Sequence, residues 1–414
     1  MSVFGPLLII WMLLLAVVQV VMLWKYVQTL RTAQLPLRSD SEYPPALVVL
    51  CTRGLDPFLK ECIHRLLDND YPRLTIRIVV DSAEDPALPL VTSVLATRGD
   101  SRAELQILER RLPHCSGKVS GLLHATQTLP EGCELVTWID GDSLLHRTAI
   151  KELADGLSDP SVGAVSGNRW YLPEKASLSG LVRMFWNGFA VPAMNMVGIL
   201  WGGCMATRAA DFQNPQMREL LSRSFIEDST ISSWVRSTGR RTRMVASAIL
   251  LNRESISLRD YYRFATRQLF TVRIDNSRWN WLALHMLTLN LTMLLVLIPM
   301  AMPTLPWWGG ITLTYLLLMS LATTAIPIGH QTVKRVLTAR GEAFPRISAG
   351  QWMWFGLVLM VPNQLNLLST MNTFFIRELT WRGITYRFGR DPKCTIVDVK
   401  PLAAQTNAVG QSVL

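Results

Sequence analysis

At 414 residues the chain has room for one large α/β domain and several membrane spans. Charged residues make up 17 % of it against 49 % hydrophobic, and none occurs from Met1 to Trp24, from Trp279 to Val333 or from Ile347 to Ile376. A wholly soluble domain would have to bury all three runs, each at least the ~20 residues of a spanning helix, and that class is set aside. The net charge of +10 is read as basic residues flanking the runs, beside anionic lipid headgroups, and no nucleic-acid partner is expected. The six cysteines include no CxxC pair, which argues against a zinc site or a disulfide framework and fits a reducing compartment.

In chain order, residues 4–24 predict a transmembrane helix. Its positive charges (Lys25, Arg31, Arg38) follow the apolar run, the reverse of a cleavable signal peptide. The N-terminus is therefore expected outside and the next domain in the cytoplasm. From 45 to 278 charges are frequent, and Gly, Pro and Asp punctuate the chain as in a globular domain. Ala46 to Cys51, Thr75 to Val80 and Glu134 to Ile139 read as buried parallel strands. Asp56 to Leu67, Gly121 to Thr126 and Arg147 to Leu157 read as helices. Such alternation implies a doubly wound, Rossmann-like sheet with ligands at the carboxyl ends of its strands.

Residues 177–207 hold one charge, Arg183, with Trp186, Phe189 and Trp201 among glycines, and predict an interfacial segment lying on the membrane. Two further transmembrane helices are expected at 281–302 and 306–328, joined by a tight turn at Pro303 to Pro306. The run 350–375 is interrupted by Pro362, Asn363, Gln364 and Asn366. With basic residues on both flanks, it stays open between a span and a re-entrant segment. Residues 376–414 follow as a cytoplasmic tail, disordered from Ala403. A bacterial inner membrane and a eukaryotic internal membrane both satisfy this topology.

The strand ending at Ile139 runs into Asp140-Gly141-Asp142. Two carboxylates one residue apart on such a turn can share a divalent cation, Mg²⁺ or Mn²⁺, completed by substrate phosphates; a solvated turn has the same composition. Asp81 ends the preceding strand and can accept hydrogen bonds from a nucleoside, with Asp85 secondary; both also suit a turn or a helix cap. Lys118, on a Gly/Ser-rich stretch before a helix, can contact donor phosphates as a point charge. Glu227-Asp228 precedes a helix, where Asp228 can deprotonate an acceptor hydroxyl or simply complement the helix terminus. Arg263, Arg267 and Arg273, with Gln268, lie before the second span and can clamp a diphosphate or serve as juxtamembrane charge. Trp201 is a secondary candidate.

The order of these features resembles family-2 glycosyltransferases, and more closely their ceramide glucosyltransferase branch. GLDPFLKECIHRLLDNDYP, KVSGLLHA, FIEDSTISSWVRSTGRR and the terminal WRGITYR carry the likeness, over residues 45 to 280 and the tail. The resemblance implies a GT-A domain on the cytoplasmic face with α-helical transmembrane segments. It further implies an inverting transfer from a nucleotide-sugar donor, UDP-glucose foremost, to a membrane lipid acceptor. Asp142 with Asp140 would hold the cation, Asp81, Lys118, Arg267 and Gln268 the donor, and Asp228 would be the base. Two departures stand out. Relatives carry Gln or Arg, two residues, then Arg-Trp; Phe264-Ala265-Thr266-Arg267-Gln268 keeps the Arg but lacks both the leading Gln or Arg and the Trp, and the missing Trp counts against polymer synthesis. Cys51-Thr52-Arg53-Gly54 replaces a Pro-containing donor loop. A processive polysaccharide synthase and a non-catalytic membrane subunit with a degenerate transferase domain are the competing readings.

Overall fold

The computed structural model describes residues 3–402 apart from 34, 37, 173–176, 276–277, 345–346, 349, 351 and 353–359. Helix α1 (Phe4–Arg31) leads into a domain of alternating elements: β1 (Ala46–Thr52), α2 (Leu59–Leu67), β2 (Leu74–Val80), α3 (Ala87–Arg98), β3 (Ala103–Ile107), α4 (Gly117–Ala125), β4 (Leu135–Asp140) and α5 (Ala149–Gly156). Its second half holds β5 (Val162–Tyr171), α6 (Leu178–Val197), β6 (Cys204–Arg208), α7 (Ala209–Phe212), α8 (Pro215–Ser222), α9 (Glu227–Ser237) and β7 (Arg241–Asn252). After these come α10 (Leu258–Asp275), α11 (Trp279–Leu295), α12 (Leu297–Met300), α13 (Trp308–Thr338), α14 (Met360–Thr373), β8 (Glu378–Trp381), β9 (Ile384–Phe388) and β10 (Cys394–Val399).

The β strands up to β7 form one sheet in the order β3-β2-β1-β4-β6-β5-β7. Strands β3, β2, β1 and β4 run parallel, and β6 is antiparallel to both its neighbours. Val48, Leu50, Ile76, Ile78 and Val136 are fully buried, as expected of strands covered by helices on both faces. The chain passes from β1 outward to β2 and β3, then returns to β4 on the other side of β1. That reversal opens a crevice at the carboxyl ends of β1 and β4, where an open α/β sheet binds its ligands.

Three helical stretches among the described residues are long and apolar enough to cross a membrane: Phe4–Arg31, Trp279–Met300 and Trp308–Thr338. Leucines such as Leu313, 70 % exposed, cover their outer faces. Helices α1 and α13 outrun their apolar stretches because their last turns enter the domain core: Tyr26 and Leu30 pack with Val333, Val336 and Leu337 beside the sheet residues. The loop after α13 is pinned to the domain by a buried Arg340–Glu152 pair at 2.6 Å and by Arg65–Glu342 at 2.7 Å.

One expectation changes. The 177–207 stretch is divided: α6 packs against α1, α13, α10 and α14, but residues 204–208 are β6, a strand hydrogen-bonded inside the central sheet. Alternation of small and apolar residues there is the signature of a buried strand, not of a surface segment. Within the C-terminal tail, β8, β9 and β10 form an antiparallel sheet that docks on the domain through Phe225, Ile384, Tyr386 and Cys394. The part of the tail expected to be disordered from Ala403, and 351 and 353–359 of the third apolar run, lie outside the described residues.

Candidate active site

A cleft at the carboxyl ends of β1, β2 and β4 is lined by Asp81, Lys118, Asp140, Asp142, Trp201, Glu227, Asp228, Arg267 and Gln268, which the sequence singled out, and by residues it did not. The strand ends explain the gathering. Asp140 closes β4, Asp81 follows β2, and the Gly202-Gly203 turn enters β6 next to Asp140. A Cβ at Gly202 would collide with the Glu227 carboxylate and crowd Asp228, so the turn lies on those carboxylates only as glycine.

Lys118 is the hub of the acidic cluster. Its ammonium reaches Asp140 Oδ1 and Glu227 Oε1, both at 2.6 Å, and donates to the Gly202 carbonyl at 3.0 Å. Those contacts use its three hydrogens, so its charge orients the two carboxylates. Burial works against that charge, but Asp140 and Glu227 outweigh it and the Lys118 pKa rises. Glu227 also accepts from Trp138 Nε1 at 3.2 Å. Burial likewise opposes the Asp140 charge, yet Lys118, helped by Arg169 and Arg382, holds that carboxyl below its usual range.

Asp228, at the start of α9, accepts from the Gly202 amide at 2.9 Å and from the Ser229 amide. Burial, and then Glu227, push its pKa up to about 7 despite Lys118. Asp142 is raised to about 6 by burial, Asp140, Asp56 and Glu254. Two neighbouring carboxylates thus differ in character: Asp140 is a fixed anion, whereas Asp228 exchanges its proton near neutrality.

The cationic wall comes from further along the chain. Arg267 of α10 faces the cleft with burial, then Arg382 and Arg169, holding it down to about 10, and its guanidinium lies 5.0 Å from the Trp381 ring centroid. Arg382, at that hairpin's tip, has φ +50°, a left-handed conformation unusual for a side chain of its size, and pairs with Asp56 at 2.6 Å. It donates to the Arg53 carbonyl at 2.7 Å, while Arg53 donates to the Arg382 carbonyl at 2.7 Å and pairs with Asp81. Asp81 also accepts from Arg111 Nε at 2.9 Å. Arg169 stands over Trp201 at 5.4 Å and donates to Gln268 at 3.3 Å.

Sequence reasoning thus missed Arg53, Asp56, Arg169, Trp381 and Arg382. The quoted WRGITYR string was the available signal for the last pair. Three candidates lie elsewhere. Asp85 caps the chain, accepting from the amides of Gly54 and Ala87 at 2.9 Å. Arg263 is exposed and 3.7 Å from Asp260, and Arg273 donates to the Thr373 carbonyl at 2.8 Å in the contact between α10 and α14.

A second, largely apolar cavity opens between α6, α10, α11, α13 and α14. It shares Arg169, Trp201, Ile226, Asp228, Gln268 and Thr271 with the cleft, so the two meet at Asp228.

The chain is similar to known glycosyltransferases. Over 92 residues, 21 % of this chain and 19 % of the other, it is 32 % identical to a ceramide glucosyltransferase of Pyricularia oryzae; the match spans about a fifth of that protein. The mannosyltransferase PcManGT from Pyrobaculum calidifontis in complex with GDP-Man and Mn²⁺ aligns over 89 % of this chain and 99 % of its own, at 15 % identity and TM-score 0.47. S. aureus TarS 1–349 aligns over 86 % of this chain and 100 % of its own, at 11 % identity and TM-score 0.37. The profile of glycosyl transferase family 21 matches residues 7–394, nearly the whole chain. The protein belongs to glycosyl transferase family 21, the ceramide glucosyltransferase family, and its domain has the GT-A fold.

Proposed function

We propose that this glycosyltransferase moves a hexose, glucose foremost, from a UDP-sugar to the hydroxyl of a membrane lipid, with inversion at the anomeric carbon. The observation that carries this reading is the meeting of a charged cleft and an apolar, helix-walled cavity at one carboxylate, Asp228. A polymer-extending site would need a continuous polar path for its product, whereas this cavity is mostly apolar, with Phe185, Phe189, Met194, Leu282, Leu289 and Leu318 among its walls.

In this mechanism the Asp228 carboxylate takes the proton of the acceptor hydroxyl as its oxygen attacks the anomeric carbon. The new carbon–oxygen bond forms on the face opposite the bond to diphosphate, which breaks, and UDP departs. A base pKa near 7 suits the task, because the carboxylate is both ionised and basic near neutral pH. The Gly202 and Ser229 amides fix its direction. Arg267, with no acidic partner among the described contacts, receives the diphosphate charge, with the Trp381 ring beside its guanidinium. Asp81 and the Arg53 and Arg111 side chains around it form the nucleoside end.

Asp140 and Asp142 fit a hard divalent cation, Mg²⁺ or Mn²⁺. Their oxygens are the right donor type, and the raised Asp142 pKa marks a spot short of positive charge. No group of three or more His, Cys, Asp or Glu suited to a metal occurs among the described residues, so donor phosphate oxygens would have to complete the shell. When bound, such an ion supplies charge neutralisation to the leaving diphosphate.

The topology proposed is a cytoplasmic catalytic domain. The loop at Arg340 and the sheet from Glu378 both contact that domain, which supports placing both flanks of the third apolar run on the catalytic side. The test of function is the full chain in lipid nanodiscs with a panel of UDP-sugars and total membrane lipid. One UDP-sugar should yield an organic-extractable glycolipid, and Asp228→Asn should lower turnover by about 10²–10³ or more while UDP binding persists. A water-soluble polymer as product, or full turnover by Asp228→Asn, would overturn the reading.

A further inference from the structure

Arg183 is the only charged residue from 177 to 207, and it lies on α6 at 2 % exposure. Its guanidinium is spread over the end of β7. Nη1 reaches Glu254 Oε2 at 3.1 Å, while Nη2 donates to the Glu254 carbonyl and, at 3.4 Å, to Asn252 Oδ1. The guanidinium carbon stands 4.1 Å from the ring centroid of Tyr171, the residue of β5 paired in register with Asn252. Asn252, itself buried, passes this grip on. Its Oδ1 also accepts from the Glu254 amide at 3.1 Å, and its Nδ2 donates to the Asp142 carbonyl at 3.1 Å. A carboxamide turned the other way would set oxygen against the Asp142 oxygen and nitrogen against two donors, so these partners allow one orientation.

The same turn is tied to β7 a second time, where Leu144 and Leu251 exchange amide-to-carbonyl bonds at 2.9 and 3.0 Å. Glu254 follows burial, Asp140 and Asp56 among the causes that raise the Asp142 pKa, and Arg183 is the cation that balances it. We propose that Arg183 is a positioning residue for the reaction: through Asn252 and Glu254 it fixes the Asp142 turn where the donor's cation is held. The inference rests on Asp142 being a ligand of that cation. Both Nη atoms are already engaged, so the guanidinium acts on the turn and not on the donor. Its planar fork serves three acceptors at once, which the point charge of a lysine cannot do. The position of Asp142 thereby depends on a helix outside the sheet, and the lone charge of that helix acquires a purpose.

The full chain in phosphatidylcholine nanodiscs is titrated with UDP by calorimetry, once in chelator and once in Mn²⁺, and hydrogen exchange is followed in the peptide covering 140–146. Wild type is compared with Asp142→Asn, with Arg183→Lys, and with Arg183→Met combined with Glu254→Gln. The last leaves no buried charge unpaired and so guards against simple loss of the fold. Mn²⁺ should strengthen UDP binding by wild type. That gain should fall about tenfold in both Arg183 variants, the worth of one buried hydrogen bond, and exchange across the turn should quicken about as much. Binding of UDP in chelator reports that the domain is folded. Arg183 variants with the wild-type Mn²⁺ gain and wild-type exchange would overturn the inference. Equal losses of UDP affinity in chelator and in Mn²⁺ would also overturn it, by showing a general structural role. A Mn²⁺ gain that survives Asp142→Asn, or is absent from wild type, would remove the ion from Asp142. Faster exchange in the Arg183 variants would in that case keep the grip on the turn, and unchanged exchange would overturn both.

Discussion

Replacing Lys118 by methionine keeps most of the side-chain volume and removes the one cation held between Asp140 and Glu227. Each contact is 2.6 Å long, for which Coulomb attraction at an effective dielectric of about 20 is roughly 6 kcal/mol. Desolvation of the buried groups cancels much of this, so the net loss in folding stability should be about 3–5 kcal/mol. Two buried carboxylates lose their shared cation, and Asp140, which Lys118 holds below its usual range, should take up a proton more readily. Because Lys118 also restrains the Asp228 pKa, the acid limb of the pH–rate profile should move to higher pH. Urea unfolding and kcat/KM between pH 5 and pH 9 measure the two effects. Adding Glu227→Gln should recover part of the stability, since one of the orphaned charges is then gone. An unchanged acid limb would refute the electrostatic role given to Lys118. A variant that bound the donor diphosphate poorly yet kept wild-type stability would show that the ammonium serves phosphate instead.

The Asp228 pKa, raised to about 7, makes log kcat/KM rise with pH up to that value and level off above it; a profile flat from pH 5 to 8 would exclude it as the base. The sign for stability is opposite. The folded carboxyl holds its proton to about 7 while an unfolded one releases it near 3.8, so the free protein should lose stability as pH climbs through that window. Chemical denaturation in the absence of donor checks this, and Asp228→Asn should flatten the slope. Arg382→Ala removes the pair with Asp56 and the support of Arg53, and donor KM should rise about tenfold or more. Calorimetric titration with UDP would show that loss directly, and unaltered affinity would place Arg382 outside donor binding. Asp142→Asn should weaken the dependence of UDP binding on Mg²⁺ or Mn²⁺; unchanged metal dependence would locate the ion elsewhere.

The parallel strands were legible because each is a short, nearly continuous apolar run, and a doubly wound sheet delivers the residues just beyond them to one crevice. Asp81, Asp140 and Asp142 therefore meet as their strand positions suggest. Partnerships were not legible. That Lys118 binds Asp140 and Glu227 depends on three elements far apart in sequence, and Arg382 reaches Asp56 across more than three hundred residues. Helix α10 shows the limit of reasoning by proximity: Arg273 lies six residues from Arg267, roughly 120° around the helix, and turns to α14 instead of the cleft. Trp201 looked like part of a membrane-surface segment because local composition does not separate a buried turn from an interfacial one. The asparagines of α14 were visible as interruptions, but not that Asn363 and Asn366 face methionines of α11.

The most direct test is the structure of the product. Wild-type protein in nanodiscs would be given UDP-glucose, whose anomeric linkage is α, and extracted lipid; proton NMR of the purified product would then report attachment and configuration. A single β-linked glucose on a lipid hydroxyl is the expected result. An α-linked sugar would contradict direct displacement with Asp228 as base, and a soluble polymer or free glucose would contradict the lipid acceptor.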